Sequence, residues 1–164
     1  MDPLEQQVID AVAATGERYD VIEIDPDLAD TAAFCANYGY QMSASGNCII
    51  VASKDEEPVV ATCLALATTK LDVNKRVRKL MGVRKLSFAP AELTQELTGM
   101  QIGGVTPFGL PDGLPLYLDA RIAELDRVIV GGGSRRLKLN VAPAALTAIG
   151  GEFIDDLAKA IDPA

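Results

Sequence analysis

Histidine and tryptophan are both absent from the 164 residues, and the aromatic side chains amount to four Phe and four Tyr. Without an imidazole there is no Ser-His-Asp triad, no Cys-His dyad, no histidine-ligated zinc and no histidine acid/base catalyst. Cysteine is scarce as well. Cys35, Cys48 and Cys63 are odd in number, sit among apolar neighbours and show no CxxC spacing, which argues against a disulfide framework and a zinc site. A reducing, cytoplasmic setting follows as the expectation. No apolar run is long enough to cross a membrane, since the longest, residues 59–67, is about half of the ~20 residues required. The first residues are acidic where a secretory signal starts basic.

What is present is a chain of one-domain length with 49% hydrophobic residues, enough for an aliphatic core. Its 15 basic and 23 acidic residues give a net charge of −8, and that charge is segregated. Residues 1–31 hold nine acids against the single base Arg18. Residues 70–85 reverse the sign with Lys70, Lys75, Arg76, Arg78, Lys79, Arg84 and Lys85 against Asp72, and Arg135, Arg136 and Lys138 form a second basic group. A local basic face on an acidic body can hold a phosphate backbone, and the competing reading is a solvated helix face.

Pro3 opens an amphipathic helix over residues 3–14, residues 19–24 alternate like a strand, and Asp27 is placed to cap a second helix carrying Leu28, Ala32, Cys35 and Ala36. Residues 48–52 and 59–67 are short, β-branched-rich runs around the turn Lys54-Asp55-Glu56-Glu57-Pro58, the pattern of a buried hairpin. Asp72 caps a predicted helix over 73–81. Strands at 83–88, 114–118, 128–133 and 137–141 and helices at 91–97, from Pro143 and at 152–161 complete the reading. Irregular alternation without βαβ spacing predicts a mixed α/β fold, a sheet closing toward a barrel with helices outside it.

Eight of the 14 glycines fall between positions 99 and 133. The run Gly131-Gly132-Gly133-Ser134 lacks the Lys-Ser/Thr ending of a Walker loop and the spacing of a dinucleotide fingerprint, which leaves a turn or an anion-holding loop. In Gly103-Gly104-Val105-Thr106-Pro107-Phe108-Gly109 the Val and Phe anchor a loop whose Pro107 fixes one dihedral, a pattern more specific than a linker. Cys48 has no base to activate it and apolar flanks that raise a thiol pKa, so a structural role outweighs a nucleophilic one. Capping accounts for Asp72, although it and Asn74 are also placed to touch a ribose. The pairs Asp155-Asp156 and Glu56-Glu57 sit in polar contexts unlike those of acid/base dyads.

The segment order from Asp72 to Leu146 resembles the YbaK/ProX family. The likeness is carried by Asp72-Val-Asn-Lys-Arg-Val-Arg-Lys-Leu-Met-Gly-Val-Arg-Lys-Leu-Ser-Phe-Ala, Leu97-Thr-Gly-Met-Gln-Ile-Gly-Gly-Val-Thr-Pro-Phe-Gly-Leu, Leu114-Pro-Leu-Tyr-Leu-Asp and Val128-Ile-Val-Gly-Gly-Gly-Ser-Arg-Arg-Leu-Lys-Leu. The resemblance implies one YbaK/ProX-like editing domain over residues 1–164, with the acidic helix and strand of 1–26 as an extension. It implies an aminoacyl-tRNA deacylase, similar to the insertion domain of bacterial prolyl-tRNA synthetases, that hydrolyses the ester of mischarged tRNA without metal or cofactor. Tuned positioning of water and amide donors for an oxyanion are sufficient for such chemistry. Mischarged tRNA is then the partner, with an aminoacyl-tRNA synthetase as a second one.

Carried onto this chain, the resemblance makes Gly104 and Thr106, with Gly103, Val105 and Pro107, the platform for the substrate carbonyl. Lys75, Arg76, Arg78 and Lys79 become candidates for acceptor-stem phosphates. Two positions depart from the family pattern. The lysine usual in the strand before the hairpin turn is missing, and Asn47 and Cys48 stand near its place; a small polar residue usual before the next Gly pair is Gly131, followed by Gly132. Either another cation, Lys70 or Lys138, replaces the lysine in space, or the pocket takes a different ligand, or hydrolysis is lost and a non-catalytic binding module of the same fold remains.

Overall fold

The computed structural model describes residues 1–161. Helix α1 (Pro3–Ala13) begins with a capping box: the Asp2 carboxylate accepts from the Glu5 N–H while Glu5 accepts from the Asp2 N–H. Strand β1 (Tyr19–Glu23) follows. Asp25, not Asp27, then supplies the next cap, because Pro26 starts a separate 3-10 turn, Pro26–Leu28, before helix α2 (Thr31–Tyr38). The hairpin expected from the two apolar runs is β2 (Gly46–Ser53) against β3 (Val60–Leu66), antiparallel with Gly46 opposite Leu66.

After β4 (Thr69–Leu71), the Asp72 carboxylate accepts from the Lys75 N–H at 3.3 Å and opens a π-helical turn, Val73–Val77, that runs into helix α3 (Arg78–Met81). The remaining elements are β5 (Leu86–Phe88), α4 (Ala91–Thr98), β6 (Leu116–Asp119), β7 (Val128–Gly131), β8 (Leu137–Val141), α5 (Pro143–Ala148), β9 (Glu152–Ile154) and β10 (Ala158–Ala160). The helix expected over 152–161 is therefore two short strands. β9 lies parallel to β6 and β10 antiparallel to β4, with Asp156 in the left-handed region at φ 58° between them. Two unsatisfied sheet edges override a weak helical periodicity.

The fold is mixed α/β, as expected, but its sheets do not close. A five-stranded sheet of order β5-β2-β3-β6-β9 and a three-stranded sheet β1-β8-β7 share backbone pairing, among the described residues, only at a bridge between Ser45 and Ile129, and β4 pairs with β10 in a ladder of their own. The space between the two larger sheets holds Leu64, Leu118, Val130 and Leu139, and α1 seals it with the fully buried Val8 and Val12. A second cluster, including Val51, Cys63, Val77 and Leu157, fixes the π-helical corner to the opposite face of the five-stranded sheet. In the third, Phe34 and Cys35 of α2 pack on Ile129. No helix among the described residues is long and apolar enough to cross a membrane.

Candidate functional site

A cleft of about 330 Å³ opens where the start of α2, the first half of β2, the β5–α4 junction and the two glycine-rich loops converge. One wall is backbone. The Gly133 N–H donates to the Gly104 carbonyl at 2.7 Å, which draws the two loops together main chain to main chain. A Cβ on Gly104 would lie 2.6 Å from the Ser134 carbonyl, and one on Gly131 would fall against the Val105 carbonyl oxygen. Glycine is needed here for close approach. Gly103, Val105 and Gly131 line the cleft, and among the described residues no hydrogen-bond acceptor takes the N–H of Gly103 or Val105.

Lys138 rises into the cleft from β8. Its residue is only 7% exposed, its Nζ donates to the Gly103 carbonyl at 3.3 Å, and the same atom lies 5.6 Å from the centre of the Phe34 ring. Ammonium over an aromatic face is a favourable cation–π arrangement. Burial pushes its pKa below the ordinary lysine value, Arg135 adds to that push, and Asp30 at the rim works against it.

The facing wall is the start of α2 and the first half of β2. The Thr31 hydroxyl donates to Asn47 Oδ1 at 2.6 Å, tying α2 to β2 beside Cys48, Ile49 and Ile50. Burial pushes the Cys48 thiol far up, and the neighbouring Cys63 adds to the shift, so Cys48 presents a neutral sulfur and not a nucleophilic thiolate. At the rim, Arg135 donates to the carbonyls of Pro26 and Ile102 at 3.1 and 3.0 Å and reaches Asp30 Oδ1 at 3.4 Å, bridging the α2 entry to the first glycine loop.

Behind the backbone wall lies Glu5, 1% exposed on α1. Ser134 Oγ donates to its carboxylate at 2.7 Å and Arg136 donates to it as well. Burial works to raise the Glu5 pKa, but the Asp2 N–H, the Ser134 hydroxyl and the Arg136 guanidinium together outweigh it and hold the group at about 2. The acidic helix therefore braces the second glycine loop and contributes no residue to the cleft.

Of the residues singled out by sequence, Asn47, Cys48, Gly103, Val105, Gly131 and Lys138 come together in this cleft. Gly104, Thr106, Pro107 and Gly132 are buried outside its lining; Thr106 Oγ1 accepts from the Phe108 N–H, and Pro107 faces a separate cleft beside Leu110. Lys70 borders another cleft with Asp72 and Lys159. On the π-helical corner, Arg76 and Arg78 donate to the carbonyls of Asp155 and Asn74, whereas Lys75 and Lys79 are exposed. Thr31, Phe88 and Thr94, which also line the main cleft, carry no motif that marks them in the sequence. Among the described residues no Cys, Asp and Glu side chains gather in a group able to hold a metal ion.

Comparison with known proteins gives a family, two relatives and two solved structures. The sequence model of the aminoacyl-tRNA editing domain family matches residues 25–149. The uncharacterized protein YwhH of Bacillus subtilis (strain 168) is 27% identical over 128 residues, covering 78% of this chain and 79% of YwhH. EbsC of Enterococcus faecalis (strain ATCC 700802 / V583), provisionally named a Cys-tRNA(Pro)/Cys-tRNA(Cys) deacylase, is 28% identical over 62% of this chain and 61% of its own. Among solved structures, a provisionally assigned trans-editing enzyme for prolyl-tRNA synthetase superposes with a TM-score of 0.82 at 25% identity, covering 97% of this chain and 98% of that one. The hypothetical protein APE2540, at 24% identity and TM-score 0.82 over 93% of this chain and 99% of that one, shares the fold.

Proposed function

We infer the function from one premise: the chain belongs to the aminoacyl-tRNA editing domain family. We propose that it hydrolyses, in trans, the ester joining an amino acid to the terminal ribose of a mischarged tRNA, and that Lys138 supplies the cation that β2 lacks. The observation that carries this reading is the position of Lys138. It shares one cleft with Asn47 and Cys48, on the opposite wall, and its Nζ is bonded to the very loop that offers free amide groups.

In this reaction a water oxygen attacks the ester carbonyl carbon, the bond from that carbon to the ribose oxygen breaks, and the departing ribose oxygen takes up the proton the water gives. Negative charge builds on the carbonyl oxygen in between. In this reading the N–H groups of Gly103 and Val105, two lining residues whose amides have no acceptor among the described residues, receive it, and preorganised donors of this kind are worth about 10²–10³ in rate each. The Lys138 ammonium adds a fixed positive charge in a poorly solvated site, where it acts more strongly than in water. Neither a side-chain nucleophile nor a cofactor takes part in any step. A cleft of about 330 Å³ is of a size to take a small aminoacyl group, and in this reading discrimination against bulky ones rests on size.

The test is a hydrolysis assay against tRNAs charged with alanine, serine, cysteine or proline, run beside Lys138→Met. Turnover by the parent and a fall of about 100-fold in kcat for the variant are expected. Undiminished turnover in Lys138→Met removes the lysine from the mechanism. No turnover on any substrate, from folded protein that still binds tRNA, replaces the enzyme with a binding module of the same fold, the reading that the absence of a lysine near Asn47 and Cys48 would then explain.

A further inference from the structure

Phe88 borders two clefts at once. One is the site above; the other, about 470 Å³, runs between the β4–β10 pair, the π-helical turn and β5, and is lined by Lys70, Asp72, Asn74, Ser87 and Lys159 as well. The four phenylalanines are not alike: Phe34 and Phe108 are fully buried, while Phe88 is 56% exposed at the edge of the five-stranded sheet. The packing of the core does not require it there. β4 and β10 place Lys70 directly opposite Lys159, and Lys159 Nζ is 3.9 Å from Asp72 Oδ2, so the second cleft carries two ammonium groups against one carboxylate. Arg84 and Lys85 continue the positive charge on the approach to β5, on a chain whose net charge is −8.

An exposed aromatic ring beside a positively charged groove is the arrangement that holds unpaired nucleotides, the ring by stacking and the cations by phosphate contact. Resting on the deacylase reading, we propose that Phe88 is the stacking platform for the terminal base of the single-stranded 3′ end of tRNA. Lys70 and Lys159 take the phosphates immediately 5′ of that base. The aminoacyl ester then lies in the first cleft, next to Lys138, and the strand leaves across the Phe88 ring into the second. This path explains why one residue bounds both clefts, and it gives Lys70 a task distinct from that of Lys138.

The absence of tryptophan makes the test clean, since Phe88→Trp puts the protein's only indole at the proposed contact. Uncharged tRNA and the oligoribonucleotide 5′-ACCA-3′ should both quench its fluorescence. Phe88→Ala should raise KM for charged tRNA about 10-fold or more, with the loss on KM and not on kcat. In the Lys70→Ala/Lys159→Ala double variant, the slope of log affinity against log salt for the oligonucleotide should become shallower by about 1.4, at about 0.7 per phosphate contact on a single strand. Quenching without hydrolysis by the parent upholds the platform and removes the deacylase reading. Hydrolysis by the parent, with an unquenched indole and an unchanged KM in Phe88→Ala, overturns the platform and leaves the deacylase in place. An unchanged salt slope in the double variant overturns the assignment of the two lysines.

Discussion

The two walls of the main cleft are built on opposite principles. The glycine wall is main chain packed on main chain, with Gly133 bonded to Gly104 and Gly131 beneath Val105, so its shape is set by backbone proximity. The β2 wall is a single strand, Asn47 to Ile50, held along one edge by β3, and its side chains are not wedged against a second loop's main chain. A backbone wall tolerates little change because any added carbon must displace a neighbouring chain. A side-chain wall can exchange one residue for another. The contrast leaves room for the proposed arrangement, in which the cation of the site comes from β8 and not from β2 while the glycine loop keeps its place.

The largest effect that would break this contrast is expected at Gly131→Ala. The new methyl group would lie against the Val105 carbonyl oxygen and 2.9 Å from that of Gly104, so the two loops must part. A cost of about 1–3 kcal/mol in unfolding free energy is expected. Because a displacement of about 1 Å at a reacting centre costs about 100-fold, turnover should fall by that order. Asn47→Ala on the other wall loses one hydrogen bond from Thr31, for about 1 kcal/mol, and should cost less than 10-fold in turnover. Denaturant melts and initial rates of both variants decide the matter: similar losses on the two walls would abolish the distinction.

The brace behind the glycine wall comes next in size. Glu5 is held at about 2, below the ordinary value of 4.5, so its ionised form is favoured by folding. That contribution is complete above about pH 4.5 and is lost as pH falls from there toward 2, because the native carboxylate must then take up a proton that the unfolded chain already holds. Its size is about 1–3 kcal/mol after allowance for the solvent around Arg136, which is more than half exposed. Urea midpoints between pH 6 and pH 3 should fall more steeply for the parent than for Glu5→Gln. Parallel curves would show that α1 does not brace the loop through this pair.

The same contrast separates what the sequence makes legible from what it hides. The β2–β3 hairpin is readable because two β-branched runs flank a charged turn, and α1 because Pro3 opens an amphipathic run. The closeness of the two glycine loops is readable as glycine, though not which residues face outward: of the expected platform, Gly103 and Val105 line the cleft, whereas Thr106 is fully buried. Lys138 is harder. It lies between Leu137 and Leu139 on a strand buried on both faces, where the usual alternation assigns a lysine to solvent; only the Phe34 ring and the Gly103 carbonyl, 104 and 35 residues away in sequence, give it a place. The strands at the C-terminus are invisible for a similar reason, since β9 and β10 exist through their partners β6 and β4 and not through their own three-residue pattern.

The smallest effect is expected at Cys48→Ser, and it sharpens the contrast by asking whether the β2 wall does chemistry or only gives shape. A thiol acts as a nucleophile through its thiolate, and burial together with Cys63 pushes the Cys48 thiol far above any pH at which the protein would work. Serine keeps the size of the side chain and exchanges a soft apolar sulfur for a hydroxyl in a cleft already furnished with Thr31 and Asn47 as partners. Turnover should stay within about 3-fold of the parent and stability within about 1 kcal/mol, the range for surface-near substitutions that leave no buried group unpaired. Iodoacetamide at pH 8 should label this position slowly in the parent for the same electrostatic reason. If instead Cys48→Ser remains folded and loses turnover by 100-fold, the side-chain wall carries the reaction through sulfur. The free amides of Gly103 and Val105 would then serve a covalent intermediate and not a water attack.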